Sequence, residues 1–417
     1  MIPMTSLRHR ASIIGFIFVC LLLYLTVKLS RQWNSSVPIV NMGDSLATSS
    51  YPAIPSKAVW NISHVGMRPR PQSPPLQYKQ GIPKPPGSTY SKLIVVARTK
   101  EEDTSWMAQE LPDWDTAIYV ADDPRSRLHP PKNKGNEVMV YLTYIIDHYE
   151  NLPDIVAFIH SHQFAWHIDE LFGGDAVVML QRLNPVRVIR EGYMNLRCIW
   201  APGCPNWMHP GAREEDEAKQ EEAIFAHTWR EVFPHESVPE VLAQPCCAQF
   251  AVSRERILAV PKSRFVFYRD WVLKTDLSDY MSGRIWEYLW HVIFSGEYVV
   301  CPKEHICYCD GYGACFGGEK AYDDFRKLGL EKEDLHKELQ EWQNDLQLYE
   351  AARLDHGGDE KLFLDPPDRK VEADLSGRIA EKELQMQVLI DDAVTRGDNP
   401  KLRALEVGRE WREGDEF

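Results

Sequence analysis

Three histidines within eight residues are the strongest chemical signal in the chain. In Asp154-Ile-Val-Ala-Phe-Ile-His160-Ser-His162 two imidazoles stand at i and i+2, at the carboxyl end of an apolar run, with Trp166, His167 and Asp169 close behind. Residues two apart on a strand face the same way, so His160 and His162 could reach one divalent ion or one phosphate. With His167 added and Asp169 or Glu170 nearby, the set also fits a zinc site that leaves one position open for water. The bland alternative is a group of satisfied polar residues at a strand end.

Two turns offer a second kind of chemistry. Leu93-Ile-Val-Val-Ala97-Arg98-Thr-Lys-Glu101 runs from a buried strand straight into a polar turn. In open α/β sheets such strand ends and the helix N-termini that follow present unpaired N–H groups to anions. Asn133-Lys-Gly135-Asn-Glu137 precedes an amphipathic run, and Gly135 permits close backbone approach. Asp122 and Asp123, after Thr116-Ala-Ile-Tyr-Val-Ala121, are a carboxylate pair that serves a metal or starts a turn. Trp286-Glu287-Tyr288-Leu289-Trp290 combines one carboxylate with aromatic side chains that either floor a sugar site or belong to the core.

The elements that must position these residues alternate along the chain. LIVVA, TAIYVA and DIVAFIH read as buried strands and EVMVYLTYIIDHYENL as an amphipathic helix, which predicts an α/β fold with a mixed sheet flanked by helices. Residues 92–318 form that body. Before it, the uncharged segment 11–27 between Arg10 and Lys28 predicts a transmembrane signal anchor over 11–29 with a short cytoplasmic tail at 1–10. Ten prolines between Val37 and Ser91 make 30–91 an extended stalk. A single-pass type II protein of the Golgi or endoplasmic reticulum membrane is the expected topology. The sequons at Asn34 and Asn61 agree with a lumenal body, and so do eight of the nine cysteines, which lie beyond the span. Disulfides among these eight are expected, with the connectivity open. The rival is a zinc site at Cys301, Cys307, Cys309 and Cys315, whose spacings lack paired CxxC knuckles.

From Glu319 to Phe417 the chain carries 27 acidic and 16 basic residues, and so supplies −11 of the net charge of −14. The remainder is nearly balanced, which excludes the basic footprint of a nucleic-acid binder. Leu335, Leu339, Trp342, Leu346 and Tyr349 recur at helical steps, so 319–417 is read as an acidic helical tail. It packs on its own domain or serves self-association, and its last residues are expected to stay unstructured.

The order of these segments resembles a glycosyltransferase of the GT-A type over about Lys92 to Phe294. The chain is also similar to an uncharacterised, largely fungal family known as domain of unknown function 3431. The GT-A resemblance implies a Rossmann-like sheet and a nucleotide held by Ala97, Arg98, Glu101, Asn133 and Gly135. It implies a divalent ion, Mn or Mg, at His160 and His162, which stand where Asp-x-Asp would be, and imidazoles are softer donors than carboxylates. Cys247-Ala-Gln-Phe-Ala-Val-Ser-Arg254 resembles the acceptor-side segment, and Glu287 stands where the family's catalytic carboxylate acts as a base. Trp166, His167, Gln249 and Trp286 would then contact substrate. The expected function is sugar transfer from a nucleotide sugar to a glycan or protein acceptor. The alternatives are a zinc-dependent lumenal hydrolase and a non-catalytic membrane-anchored binding or scaffold protein.

Overall fold

This computed structural model describes residues 78–212, 216, 219–355 and 366–413. The cytoplasmic tail, the anchor at 11–29, both sequons and the stalk as far as residue 77 lie outside the described residues. Among the described residues no helix is long and apolar enough to cross a membrane.

The body runs β1 (Lys92–Arg98), α1 (Ser105–Glu110), β2 (Asp115–Val120), α2 (Val138–His148), β3 (Ile155–His160), α3 (Ala176–Arg182), α4 (Pro185–Glu191) and β4 (Tyr193–Asn195). It continues through α5 (Glu222–Val232), β5 (Phe250–Ser253), α6 (Arg254–Ala259), α7 (Lys262–Lys274), α8 (Asp279–Glu287), α9 (Trp290–Ser295) and α10 (Glu304–Tyr312). The tail is α11 (Glu319–Asp355), α12 (Arg369–Gly397) and α13 (Pro400–Glu406).

The strands hydrogen-bond in the order β2-β1-β3-β5-β4. β1 is parallel to β2 and to β3, with Ala97 beside His160, whereas β5 is antiparallel to both β3 and β4. This is the expected mixed sheet, and it puts the first and third strand ends side by side. Successive strand residues feed opposite faces. Val95, Val156, Phe158 and Phe250 enter one core with α2, Trp286 and Trp290, while Ile94, Val96, Ile155, Ala157 and Ile159 enter the other with Tyr308 and Tyr312. Helices cover both faces, so the strands are apolar throughout rather than alternating.

Two boundaries differ from the expectation. The stretch 78–91, assigned to the stalk, is tied to the body: Tyr78 donates to the Ile293 carbonyl at 2.8 Å, the Gly81 amide to Arg190 O at 2.8 Å, and Lys84 to Asp154 at 2.7 Å. A proline-rich segment needs no periodicity to be ordered when its polar groups find partners on a neighbouring surface. Toward the other end, α13 docks on the body rather than standing free of it, and residues 414–417 lie outside the described residues. Asp310, buried at the end of α10, accepts from Arg187 at 2.8 Å and from Arg190, and its carbonyl accepts from Arg403 of α13 at 2.8 Å. Gly397 meets the Gly313 backbone, and the Cys315 amide donates to Ala393 O at 2.8 Å. The helical periodicity at Leu335 is spent within the chain, against Leu375 and Ile379 of α12.

The eight cysteines from Cys198 onward form four disulfides: Cys198–Cys307, Cys204–Cys301, Cys246–Cys247 and Cys309–Cys315. The four cysteines of the zinc alternative therefore go into three different bridges. The grouping of His, Cys, Asp or Glu with metal-like spacing among the described residues is Cys309, Cys315 and Glu406, and its two sulfurs are bonded to each other.

Candidate functional site

β3 ends at His160, and this fixes what its imidazole can meet. The partner strand β5 starts at Phe250, opposite Phe158, so that ladder runs out two residues before His160. The side chain of Gln249 takes over, its Oε1 accepting from the His160 amide at 3.2 Å. Past Ser161 the chain leaves the sheet, and the two-residue rule no longer applies to His162. Its ring is 59% exposed and lies 3.5 Å from Glu102. His160 instead meets His167, Nδ1 to Nε2 at 2.9 Å with the rings edge-on. The structure thus joins His160 with His167 and leaves His162 apart. Burial first, then the neighbouring imidazoles, lowers His160 to about 3, and burial with His162 and Arg197 lowers His167 to about 4. Both rings are neutral near pH 7, so one nitrogen of the contact donates and the other accepts.

The pair opens on a cavity of about 300 Å³. Trp166 and His167 enter it from the loop after β3, and Pro202 and Trp207 from the loop after β4. The Cys246–Cys247 disulfide lines it just before β5, and Arg284, Glu287 and Tyr288 come from the end of α8. Arg197 joins two of these loops, donating to Trp166 O at 3.1 Å and Ala201 O at 3.2 Å. The Trp207 indole N–H donates to the Tyr288 hydroxyl at 2.7 Å, and Cys246 N to Pro202 O at 3.1 Å. Gly203 (φ 127°) makes the last contact possible, since a Cβ there would sit 2.0 Å from Gln244 O. Cys247 (φ 95°) and Ala248 (φ 50°) are both held in the left-handed region, at about 1–3 kcal/mol each. The rest of the fold overrides that cost, with Cys204–Cys301 anchoring the Pro202 loop from below.

Glu287 is the titratable group of note. Burial raises its carboxyl to about 7 even though Arg284 pulls it down, and Glu221 adds to the rise. Glu221 is almost fully buried and fixes Arg284, accepting from its guanidinium at 2.8 Å. The backbone carbonyl of Glu287 accepts from Gln244 Nε2 at 2.5 Å, so the strand of chain carrying the disulfide also holds α8. Behind lies Glu137, pushed to about 8 by burial and by the Glu287 charge. A carboxyl that exchanges its proton near neutrality, in a walled cavity, suits general acid–base work.

The remaining nominated residues fall elsewhere. Ala97 and Arg98 end β1, and Arg98 donates to Glu102 O at 2.6 Å, while Glu101 is exposed. The residue that organises this turn is Glu102, which accepts from Thr99 and, at 2.6 Å, from Ser161. Against burial, the bonds from Ser161 and Thr99 keep its carboxyl below the usual range. Asn133 is exposed, and the amides of Gly135, read above as a point of close backbone approach, and of Asn136 hold the carboxylate of Asp279, Asn136 at 3.1 Å. None of these five lines the cavity. Asp122 and Asp123 accept from the backbone amides of Lys100 and Arg125, which makes them turn residues.

Two substrate nominations are corrected. Trp286 is fully buried, packed between Tyr268 and Trp290 at 5.5 and 5.2 Å, because a helical neighbour of Glu287 points about 100° away from it. Gln249 is also buried, does not line the cavity, and accepts from the His160 amide through its Oε1. In the zinc alternative Asp169 is spent: its carboxylate accepts from Cys198 N at 2.8 Å, Leu171 N at 3.1 Å and the Tyr308 hydroxyl. Glu170 turns out to Arg326 at 3.3 Å. Trp207, Arg284 and the vicinal disulfide were not foreseen. The adjacent cysteines were the visible sign.

No curated protein and no solved structure matches this chain. A family profile does, over residues 94–310, which include every cavity residue and just over half of the 417 residues. The chain belongs to the family described as protein of unknown function (DUF3431).

Proposed function

We propose that the chain is a glycosyltransferase-like lumenal protein that moves a sugar from a nucleotide sugar to a glycan or protein acceptor, with Glu287 as the base. The observation that carries this reading is the Glu287 carboxyl, poised near neutrality in a cavity of about 300 Å³ with aromatic walls. In the reaction the acceptor hydroxyl gives its proton to Glu287, its oxygen bonds to the anomeric carbon, and the bond to the nucleotide phosphate breaks. The nucleotide is assigned to the turn after β1, whose Ala97 pairs with His160 at the cavity edge. The GT-A likeness, the type II anchor and the Golgi or endoplasmic reticulum location belong to the same proposal, and four disulfides favour an oxidising compartment.

The test is release of nucleoside diphosphate from a panel of nucleotide sugars by the full chain, with and without glycan acceptors. Acceptor-dependent release that falls at least about 100-fold in Glu287→Gln, with unchanged thermal stability at pH 4, supports the reading. Release that survives the substitution removes Glu287 from the role, and failure to bind any nucleotide sugar favours the scaffold alternative. Stoichiometric zinc in the purified chain, lost with His160→Ala, favours the hydrolase.

A further inference from the structure

The Cys246–Cys247 disulfide does more than close a loop, because it forms part of the wall of the cavity that holds Glu287. We propose that this disulfide is the platform of a subsite for a single pyranose ring, with Trp166 as the facing wall. The assignment rests on the sugar-transfer reading and adds which surface holds the ring.

Three observations lead to it. First, the cavity's walls are mainly apolar: the disulfide, Pro202, and the indoles of Trp166 and Trp207. Trp166 is 55% exposed, its carbonyl accepts from Arg197, and its ring stands edge-on to His167 at 5.7 Å. The Trp207 N–H is already given to Tyr288, so that indole offers a ligand its face rather than its polar edge. Second, polar groups lie among these walls: Glu287 and Arg284 from α8, and the neutral His160–His167 pair. A pyranose presents C–H groups on its faces and hydroxyls around its rim, which matches apolar walls interspersed with a few polar groups. A flat aromatic ring would satisfy the walls but has no hydroxyl for Glu287. Third, the platform is rigid and wired to the polar groups. Cys247 and Ala248 are held at positive φ, Gln244 on one side bonds the Glu287 carbonyl, and Gln249 on the other bonds the His160 amide. Sulfur is polarisable and packs well on C–H and ring surfaces.

The experiment measures binding rather than transfer, so its failure is distinguishable from failure of the sugar-transfer reading. Saturation-transfer NMR on the full chain uses methyl pyranosides of the gluco, galacto, manno and xylo series, with adenosine and indole as aromatic arms. The expected result is binding of at least one pyranoside, with saturation strongest on the C–H groups of one ring face. Its Kd should rise at least 10-fold in Cys246→Ala/Cys247→Ala, with the other three disulfides intact by peptide mapping, and at least 5-fold in Trp166→Ala. Trp166 is exposed, so its variant decides the matter if the double variant does not fold. The proposal is overturned if no pyranoside binds, if only adenosine or indole binds, or if the Kd is unchanged in either folded variant. Pyranoside binding with these sensitivities but no transfer from any nucleotide sugar would keep the subsite and discard the transferase.

Discussion

Replacing Glu287 by glutamine gives a pH-dependent gain in stability whose size follows from the site. Burial lifts the carboxyl from 4.5 to about 7, with Arg284 opposing and Glu221 adding to the lift. Below pH 4.5 it is protonated in both the folded and the unfolded chain, and its contribution to stability is whole. Between pH 4.5 and about 7 the unfolded chain releases the proton while the folded chain keeps it, so stability falls by about 1.4 kcal/mol per pH unit. By pH 8 the loss is about 3 kcal/mol and has levelled off. Glutamine fills the same space and does not titrate, so Glu287→Gln should gain about 3 kcal/mol over the native chain between pH 4 and pH 8. Glu137 acts in the same direction, since its own upward shift eases once the Glu287 charge is gone. Urea unfolding of both proteins at the two pH values reads the difference directly. A variant-minus-native difference that is the same at pH 4 and pH 8 refutes the claim that this carboxyl keeps its proton close to neutrality.

Two further predictions concern the frame around the site. Gly397→Ala places a Cβ 1.9 Å from Gly313 O and should cost about 3 kcal/mol by urea unfolding, whereas Gly377→Ala in the same helix meets nothing within 4 Å and should be neutral or stabilising. Asp279→Ala removes the acceptor of the Gly135 and Asn136 amides and should cost about 1–2 kcal/mol, with faster hydrogen exchange at those two positions; unchanged exchange there would mean the carboxylate does not hold the turn.

The strands were legible because burial on both faces leaves Ile94 to Val96 and Ile155 to Ile159 no polar position to confuse the pattern. The histidine cluster and Glu287 were legible as residue types in suggestive places. Their partners were not. Pairing His160 with His162 assumed that the strand continues, but it stops at His160, and His167 arrives from a loop whose path no periodicity encodes. What approaches the Gly135 backbone is internal, the Asp279 side chain 144 residues away, which no local pattern encodes. Trp286 was misassigned although helix geometry already separates it from Glu287 by about 100°. Disulfide connectivity depends on which loops meet in three dimensions, so the eight cysteines by themselves left the pairing open.

The docking of the last helix has a practical reach. The profile shared with relatives stops at Asp310, yet the carbonyl of that same residue is gripped by Arg403 from the far end of the chain. Trimming the protein to the shared segment would strip α13 from a seam that contains Arg187, Arg190 and Asp310, and would remove α12 together with the Gly313 backbone that it meets. Whoever seeks a minimal fragment should keep the chain at least through Glu406.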